Sequence, residues 1–155
     1  QSRQRMIFIG VRDDLGIAPT HPGAGSAPVI LRHALAALKS RKQTAAVCSP
    51  LRQSRWAETR PGDAHRERFS LLHLAWTKPA PTILKVSGSG GHMHPDEPRL
   101  LSIGELQRCA SFPDAYNFAG DWDAAVNRIG NSVPPLFMRS IATHIRREIL
   151  DKVKR

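Results

Sequence analysis

Cysteine is scarce: Cys48 and Cys109 are the only two in 155 residues. Two thiols make neither a disulfide framework nor a metal cluster, which points to a reducing cytoplasm. No apolar run approaches the roughly 20 residues of a membrane-spanning helix, and no signal peptide opens the chain, so no membrane partner is expected. A glycine-rich loop that follows a strand and opens a helix is missing, and with it a dinucleotide fingerprint. His92-x-His94 with Cys48 or Cys109 falls short of four ligands at usable spacing, so no metal is expected either. Internal repeats are absent. Acidic residues are also short in supply, 13 against 23 Lys+Arg, for a net charge of +10 and a pI near 10.8. So basic a chain makes nucleic acid the leading partner class. The remainder is ordinary for a globular protein, with 41% hydrophobic and 23% charged residues, and the length fits one domain or pieces of two.

The run Met6–Val11, "MIFIGV", is continuous and apolar between Arg5 and Arg12. It reads as a strand buried on both faces, as in an α/β sheet. Just before it, Arg3 and Arg5 lie two apart, so in extended backbone both point the same way. They suit one polyanion or one polar ring edge, or simply a solvated strand end. Residues 13–27 are rich in Pro, Gly and Asp and read as loop. Pro28 then opens a helix with Ile30, Ala34, Leu35 and Leu38 on one face. Between about residues 40 and 95 charges interleave with Pro and Gly. There "FSLLHLAW" and "PTILKV" look like strands, Ser87–Gly91 like a flexible turn, and His73 and His92 like polar residues near DNA.

Ser102-Ile103-Gly104-Glu105 has the form of a capping box, ahead of Leu106 and Cys109 on a short helix that Phe112-Pro113-Asp114 ends. Residues 127–137, "NRIGNSVPPLF", read as a loop in which Gly130 frees the backbone and Pro134-Pro135 start the last helix. A helix N-terminus carries unpaired N–H groups and partial positive charge, which suits a carboxylate. That helix is expected to run to about Lys152, with Phe137, Ile141, Ile145 and Ile149 as its buried face. Arg146, Arg147, Lys152, Lys154 and Arg155 lie off that stripe and complement the helix dipole. Neither cysteine has an activating base nearby in sequence, and both read as small semi-apolar fillers.

Taken in order, these pieces resemble the C-terminal half of a DNA (cytosine-5)-methyltransferase. "QSRQR" before an apolar strand is similar to the family's Gln-x-Arg-x-Arg motif, at Gln1, Arg3 and Arg5. "PAPTILK" resembles the Thr-(Leu/Ile) signature of the target recognition domain, at Thr82-Ile83. "HPDEPRLLSIGELQRCASFPDAYNFAG" resembles the motif that buttresses that domain, with Arg99, Glu105, Arg108 and the Phe112-Pro113-Asp114 turn, although Cys109-Ala110 stands where the family has Leu-Gln. "RIGNSVPP" resembles the final motif.

The resemblance implies an enzyme of the restriction–modification kind that moves a methyl group from S-adenosylmethionine to C5 of a cytosine flipped out of double-stranded DNA. By it, Arg5 contacts the base O2, where an always-charged donor stabilises negative charge as C6 is attacked. Gln1 and Arg3 support the site and nearby phosphates. Thr82, Gly90, Gly91 and Arg99 fall to the DNA side, and Asn131, Ser132 and Val133 beside the methionine end of the cofactor. The implied fold is α/β: the C-terminal part of a Rossmann-like methyltransferase plus a small mixed α+β recognition domain. Residues 1–29 would end the catalytic domain, 30–115 form the recognition domain and buttress, and 116–155 return to the catalytic domain.

The family's Phe-x-Gly-x-Gly turn, Pro-Cys nucleophile and Glu-Asn-Val motif do not occur, since Val47 precedes Cys48 and Arg108 precedes Cys109. The chain opens at Gln1 without an initiator methionine, as a split subunit or a fragment would. A front-half chain or segment is therefore the expected partner, in the cytoplasm with the nucleoid. The alternative is a catalytically silent DNA-binding remnant.

Overall fold

A computed structural model describes residues 1–25, 27–36, 38, 48–85 and 91–153. The chain divides into two compact units. One comprises Gln1–Arg3 and Pro28–Ser132, the other Gln4–Ala27 and Val133–Arg155. Helices and strands both occur, so the fold is mixed α/β.

In the first unit the elements are α1 (Leu31–Ala34), α2 (Pro50–Glu58), β1 (Leu71–His73), β2 (Gly91–Met93), α3 (Ile103–Cys109) and α4 (Trp122–Asn131). β1 and β2 pair in parallel, Leu71 opposite Gly91 and His73 opposite Met93. The segment around Ala64 flanks β1 and that around Leu100 flanks β2, each through an antiparallel bridge. Three helices start where local chemistry dictates. Ser49 caps α2 with Pro50 behind it, Ser102 and Glu105 close the capping box on α3, and Asp121 accepts from Ala124 N–H at 2.8 Å to start α4. Such caps satisfy donors that have no partner inside the helix, each worth about 1 kcal/mol.

The core of this unit joins Leu31, Leu74, Ile83, Leu101, Leu106 and Ile129, with Val126 and Cys109. A smaller cluster of Leu71, Met93 and Leu100 lies against Trp56. Alternation explains β1: Leu71 and His73 are buried and Leu72 is half-buried between them. α4 follows helical spacing, burying Ala125, Val126, Ile129 and Gly130.

The second unit contains α5 (Pro135–Glu148) and short 3-10 turns at Asp13–Leu15 and Leu150–Lys152. Ile141 and Ile149 are buried, whereas Ile145 is half-buried and Phe137 is 40% exposed, so the expected stripe is only partly covered.

Several expectations are corrected. Residues 6–11 form no strand; their burial alternates and Met6 and Phe8 are 80% and 86% exposed, because no ladder partner lies among the described residues. The helix after Pro28 is a single described turn, with 39–47 outside the described residues. "FSLLHLAW" gives a strand over 71–73 alone, and residues 81–85 give none. Gly91 opens β2; Ser87, Gly90, Lys154 and Arg155 lie outside the described residues. His73 and His92, expected to be polar residues near DNA, are buried.

The "NRIG" stretch is helix rather than loop. Gly130 is there for closeness, not freedom. A Cβ on it would stand 2.5 Å from Lys85 N and 2.6 Å from the Leu84 carbonyl carbon, a distance real side chains do not reach.

Candidate functional site

Within the first unit, three motifs that are far apart in sequence meet at the C-terminal turn of α4. Ser2 N–H donates to the Ala80 carbonyl at 2.9 Å, tying the N-terminal residues to the segment that leads to Thr82. Arg3 Nη1 donates to the Gly130 carbonyl at 2.5 Å. Leu84 and Lys85 backbone lies against the bare face of Gly130. Thr82 is half-buried there, and Ile83 beside it is anchored in the core. A carbonyl in a helix's last turn lacks an intrahelical partner, so an arginine donor is a fitting cap.

The fourth motif braces this assembly from behind. Arg99 makes a two-pronged bond to Glu105, Nη1 to Oε2 at 2.8 Å and Nη2 to Oε1 at 2.9 Å. Its Nε donates to Glu97 at 2.8 Å. The hydrogen bond to Glu105 holds the guanidinium above its ordinary pKa. For Glu105, burial pushes toward the neutral acid, but Arg99 and the Ser102 N–H at 2.7 Å outweigh it and the carboxyl lies below its usual value. Planar two-pronged pairing of this kind is the strong form of ion pair. Arg108 pairs with Asp114, and Gln107 Nε2 donates to the carbonyls of Pro113 and Tyr116, so the Phe112-Pro113-Asp114 turn is pinned to α3.

Asn131 and Ser132 close α4. The Asn131 amide donates to Asn127 Oδ1 at 2.7 Å, and the Ser132 hydroxyl donates to the Ile129 carbonyl at 2.7 Å. Asn131 stays exposed, and Ser132 and Val133 are half-buried. In the second unit, α5 starts at a Pro134-Pro135 pair without a side-chain cap. Arg5, also of that unit, is half-buried, as is Gln1 in the first. Gly91 adopts φ of 130°, where a side chain is strained, and its Cβ position meets Leu100 at 2.8 Å.

Neither cysteine is poised for chemistry. Burial pushes the Cys109 thiol up to about 12. Burial also raises Cys48, against the opposing charge of Arg52. Thiolate, not thiol, is the nucleophile. Among the described residues no group of three His, Cys, Asp or Glu could hold a metal ion, and no helix is long and apolar enough to cross a membrane.

Sequence reasoning missed the histidines and tryptophans that tie segments of the first unit together. His73 Nδ1 lies 2.6 Å from the Thr59 carbonyl and its Nε2 2.9 Å from that of Pro95, with its ring 4.9 Å from Trp56. Trp56 Nε1 donates to the His94 carbonyl at 2.8 Å. The available signal was the apolar company of His73 in "SLLHLAW", which marks a buried position.

A family model described as C-5 cytosine-specific DNA methylase matches residues 31–147. The type II methyltransferase M.AgeI of Thalassovita gelatinovora is 36% identical over 75 residues, covering 47% of this chain and 18% of that protein. The type II methyltransferase M.Eco47II of Escherichia coli is 26% identical over an alignment that covers 100% of this chain and 44% of that protein. DNA (cytosine-5)-methyltransferase 1 of Mus musculus is 28% identical over 64% of this chain and 6% of its own length. The chain thus spans less than half of the curated relatives it matches.

Proposed function

The chain belongs to the C-5 cytosine-specific DNA methylases, and from that premise we propose that it is the DNA-recognition and C-terminal part of a cytosine-5 methyltransferase. A front-half chain or segment with the Pro-Cys nucleophile completes it. The observation that supports this most is the meeting of Arg3, the Thr82–Lys85 segment and Gly130 at one point. Segments that this reading assigns to DNA contact, base contact and the cofactor lip share one support there.

In this reading residues 1–29 and 116–155 serve the catalytic domain and 30–115 the recognition domain. Arg5 donates to the cytosine O2 and stabilises the negative charge that develops on the ring. Gln1 and Arg3 support the site and nearby phosphates. Thr82 meets a phosphate beside the flipped nucleotide, and Gly90-Gly91 let the backbone approach the DNA. Arg99 acts from inside, its guanidinium committed to Glu105 and Glu97.

S-adenosylmethionine supplies the electrophilic methyl group when bound. The residues present fit one lip of its site in donor chemistry. Asn131 exposes a side-chain amide at the end of α4, a donor that suits the carboxylate of the cofactor's methionine end.

Mixing the chain with a front half, S-adenosylmethionine and cytosine-containing duplex should yield 5-methylcytosine. No product with any cognate front half, while DNA binding persists, would leave the silent DNA-binding remnant as the function. In the assembled enzyme Arg5→Ala should slow methyl transfer far more than it weakens DNA binding. Equal losses would make Arg5 a phosphate contact.

A further inference from the structure

Residues 65–71, in the first unit, form a loop that is held from within. His65 N–H donates to the Leu71 carbonyl at 3.0 Å, Arg68 N–H to that of His65 at 3.1 Å, and Leu71 N–H to that of Arg68 at 2.7 Å. Glu67 N–H adds a bond to His65 Nδ1 at 3.3 Å. Both ends are buried, His65 and Leu71 alike, and the Ser70 carbonyl accepts from Gly91 N–H at 2.9 Å, which fixes the loop to β2. Phe69 nevertheless stands 82% exposed on this pinned loop. A single exposed apolar residue is ordinary on a surface, but Phe69 does not stand alone. It borders a cavity of about 280 Å³ together with Leu84, itself 53% exposed, so an apolar rim faces solvent.

The rest of that cavity ties the ring to the DNA side of the chain. Thr82 and Gly91, which the reading above sets against DNA, line it beside Ser2, Ser70 and Leu72. Arg66 and Arg68 flank the ring in sequence and are exposed, as is Lys85 next to Leu84, against one acidic side chain in the loop, Glu67. On a chain of net charge +10, an apolar ring set among cations suits a polyanion with flat apolar faces inside it, which is duplex DNA. A phenyl ring has no hydrogen-bonding group, so it stacks on any base and reads none.

We propose that Phe69 is a wedge: it enters the gap that a flipped cytosine leaves in the duplex and stacks on the bases beside that gap. The inference rests on the reading above, which puts Thr82 at the phosphate beside the flipped nucleotide. The ring that shares a cavity with Thr82 is then next to the place the base has left. Taking a base out of the stack costs stacking and pairing, and an apolar side chain inserted between bases offsets that cost. The pinned loop suits this role, since a ring already held outward loses little freedom on binding. Phe69 is thus a positioning residue, which favours the opened duplex and takes no part in the chemistry or in the choice of sequence.

The test titrates the full chain, by fluorescence anisotropy, against two duplexes of one sequence, one intact and one with an abasic site in place of a cytosine. The gapped duplex should bind about fivefold more tightly or better, the lower end of what base–aromatic stacking supplies. Phe69→Ala should erase that preference while the affinity for the intact duplex and the urea midpoint stay in place, and Phe69→Tyr should retain it. In the enzyme assembled with a front half, Phe69→Ala should slow methylation of a paired cytosine about tenfold. The same cytosine opposite an abasic site should be slowed far less, because an unpaired base flips at lower cost. Duplex binding without preference for the gap, a preference that survives Phe69→Ala, or equal slowing on both substrates overturns the proposal while the reading above stands. A wild-type chain that binds neither duplex at low salt removes the reading and the wedge together. A chain dimer that Phe69→Ala dissolves, seen by light scattering with DNA binding unchanged, assigns the ring to a second copy and overturns the proposal as well.

Discussion

The two units use the same kinds of apolar side chain to opposite effect. In the first, Leu31, Ile83 and Leu101 are almost wholly buried in a shared core. In the second, Ile141 and Ile149 are buried, while Met6, Phe8, Leu136 and Met138 are exposed. The difference lies in what surrounds each segment. The first unit carries its own helices and strands, which enclose a shared core even though Phe69 at its surface stays 82% exposed. The extended segment at residues 6–11 has hydrophobic residues of strand type but no neighbouring strand among the described residues. Exposed extended backbone with large apolar side chains invites another chain to pair with it. A pattern of hydrophobic residues therefore specifies a core only where its cover is also present, and substitutions should divide along this line.

The largest effect is expected at the brace of the first unit. Glu105→Ala removes both prongs to Arg99 and half of the capping box, and leaves a mostly buried guanidinium facing no carboxylate but Glu97. Breaking one partner of a buried pair costs about 3–5 kcal/mol. Arg99 keeps some solvent contact, so about 3 kcal/mol is expected, read as a fall in the urea midpoint. A loss below 1 kcal/mol would show that the brace is not where the first unit's stability resides.

The histidines give a second contrast of similar size. An unfolded His92 takes up a proton near its ordinary value of 6.5, while the folded one resists until about 4. Its folded pKa is the lower one, so its contribution is complete above about 6.5 and is lost as pH falls toward 4. That amounts to about 3 kcal/mol. His94, lowered chiefly by burial, acts in the same direction. Glu105, also lowered, adds its own loss below its ordinary value of 4.5. Urea midpoints between pH 7 and 4.5 should fall, and His92→Phe should flatten the fall. An unchanged midpoint would mean that His92 is solvated.

Gly130→Ala comes next. Alanine favours helix over glycine by about 1 kcal/mol, but its methyl would overlap the Leu84 and Lys85 backbone. Backbone cannot swing aside as a side-chain end can, so a net loss of about 2 kcal/mol is expected from denaturant unfolding. A stabilised variant would show that the segment at residues 82–85 does not pack on α4.

These cases also show what the sequence made legible. The capping box at Ser102, the start of the last helix and the Phe112-Pro113-Asp114 turn are local, and a few adjacent side chains determine them. The fate of residues 6–11 was not legible, because burial of a strand depends on a neighbour that the strand does not encode. Gly130 was misread for a related reason: a glycine that frees a turn and one that admits a neighbouring backbone look alike in sequence. The placing of Phe69 gave no signal, since the cavity it borders is built from segments up to 57 residues apart in positions 69–126, with Ser2 beside them.

The smallest effect is the sharpest test of the contrast. Phe8→Ser removes a large aromatic side chain, a change that costs roughly 3–5 kcal/mol in a core. Here the ring is exposed, so unfolding of the chain alone should change by no more than about 0.5 kcal/mol. The same substitution should act differently once a front half is present. If residues 6–11 join a partner's sheet, Phe8 becomes interface, and Phe8→Ser should weaken assembly at least tenfold while leaving the chain's own urea midpoint in place. A hot-spot aromatic that matters only on binding behaves this way. Loss of stability in the isolated chain would show that the second unit covers Phe8 itself. No change in either measurement would mean that the partner joins elsewhere, and the exposed apolar segment would then need a different explanation.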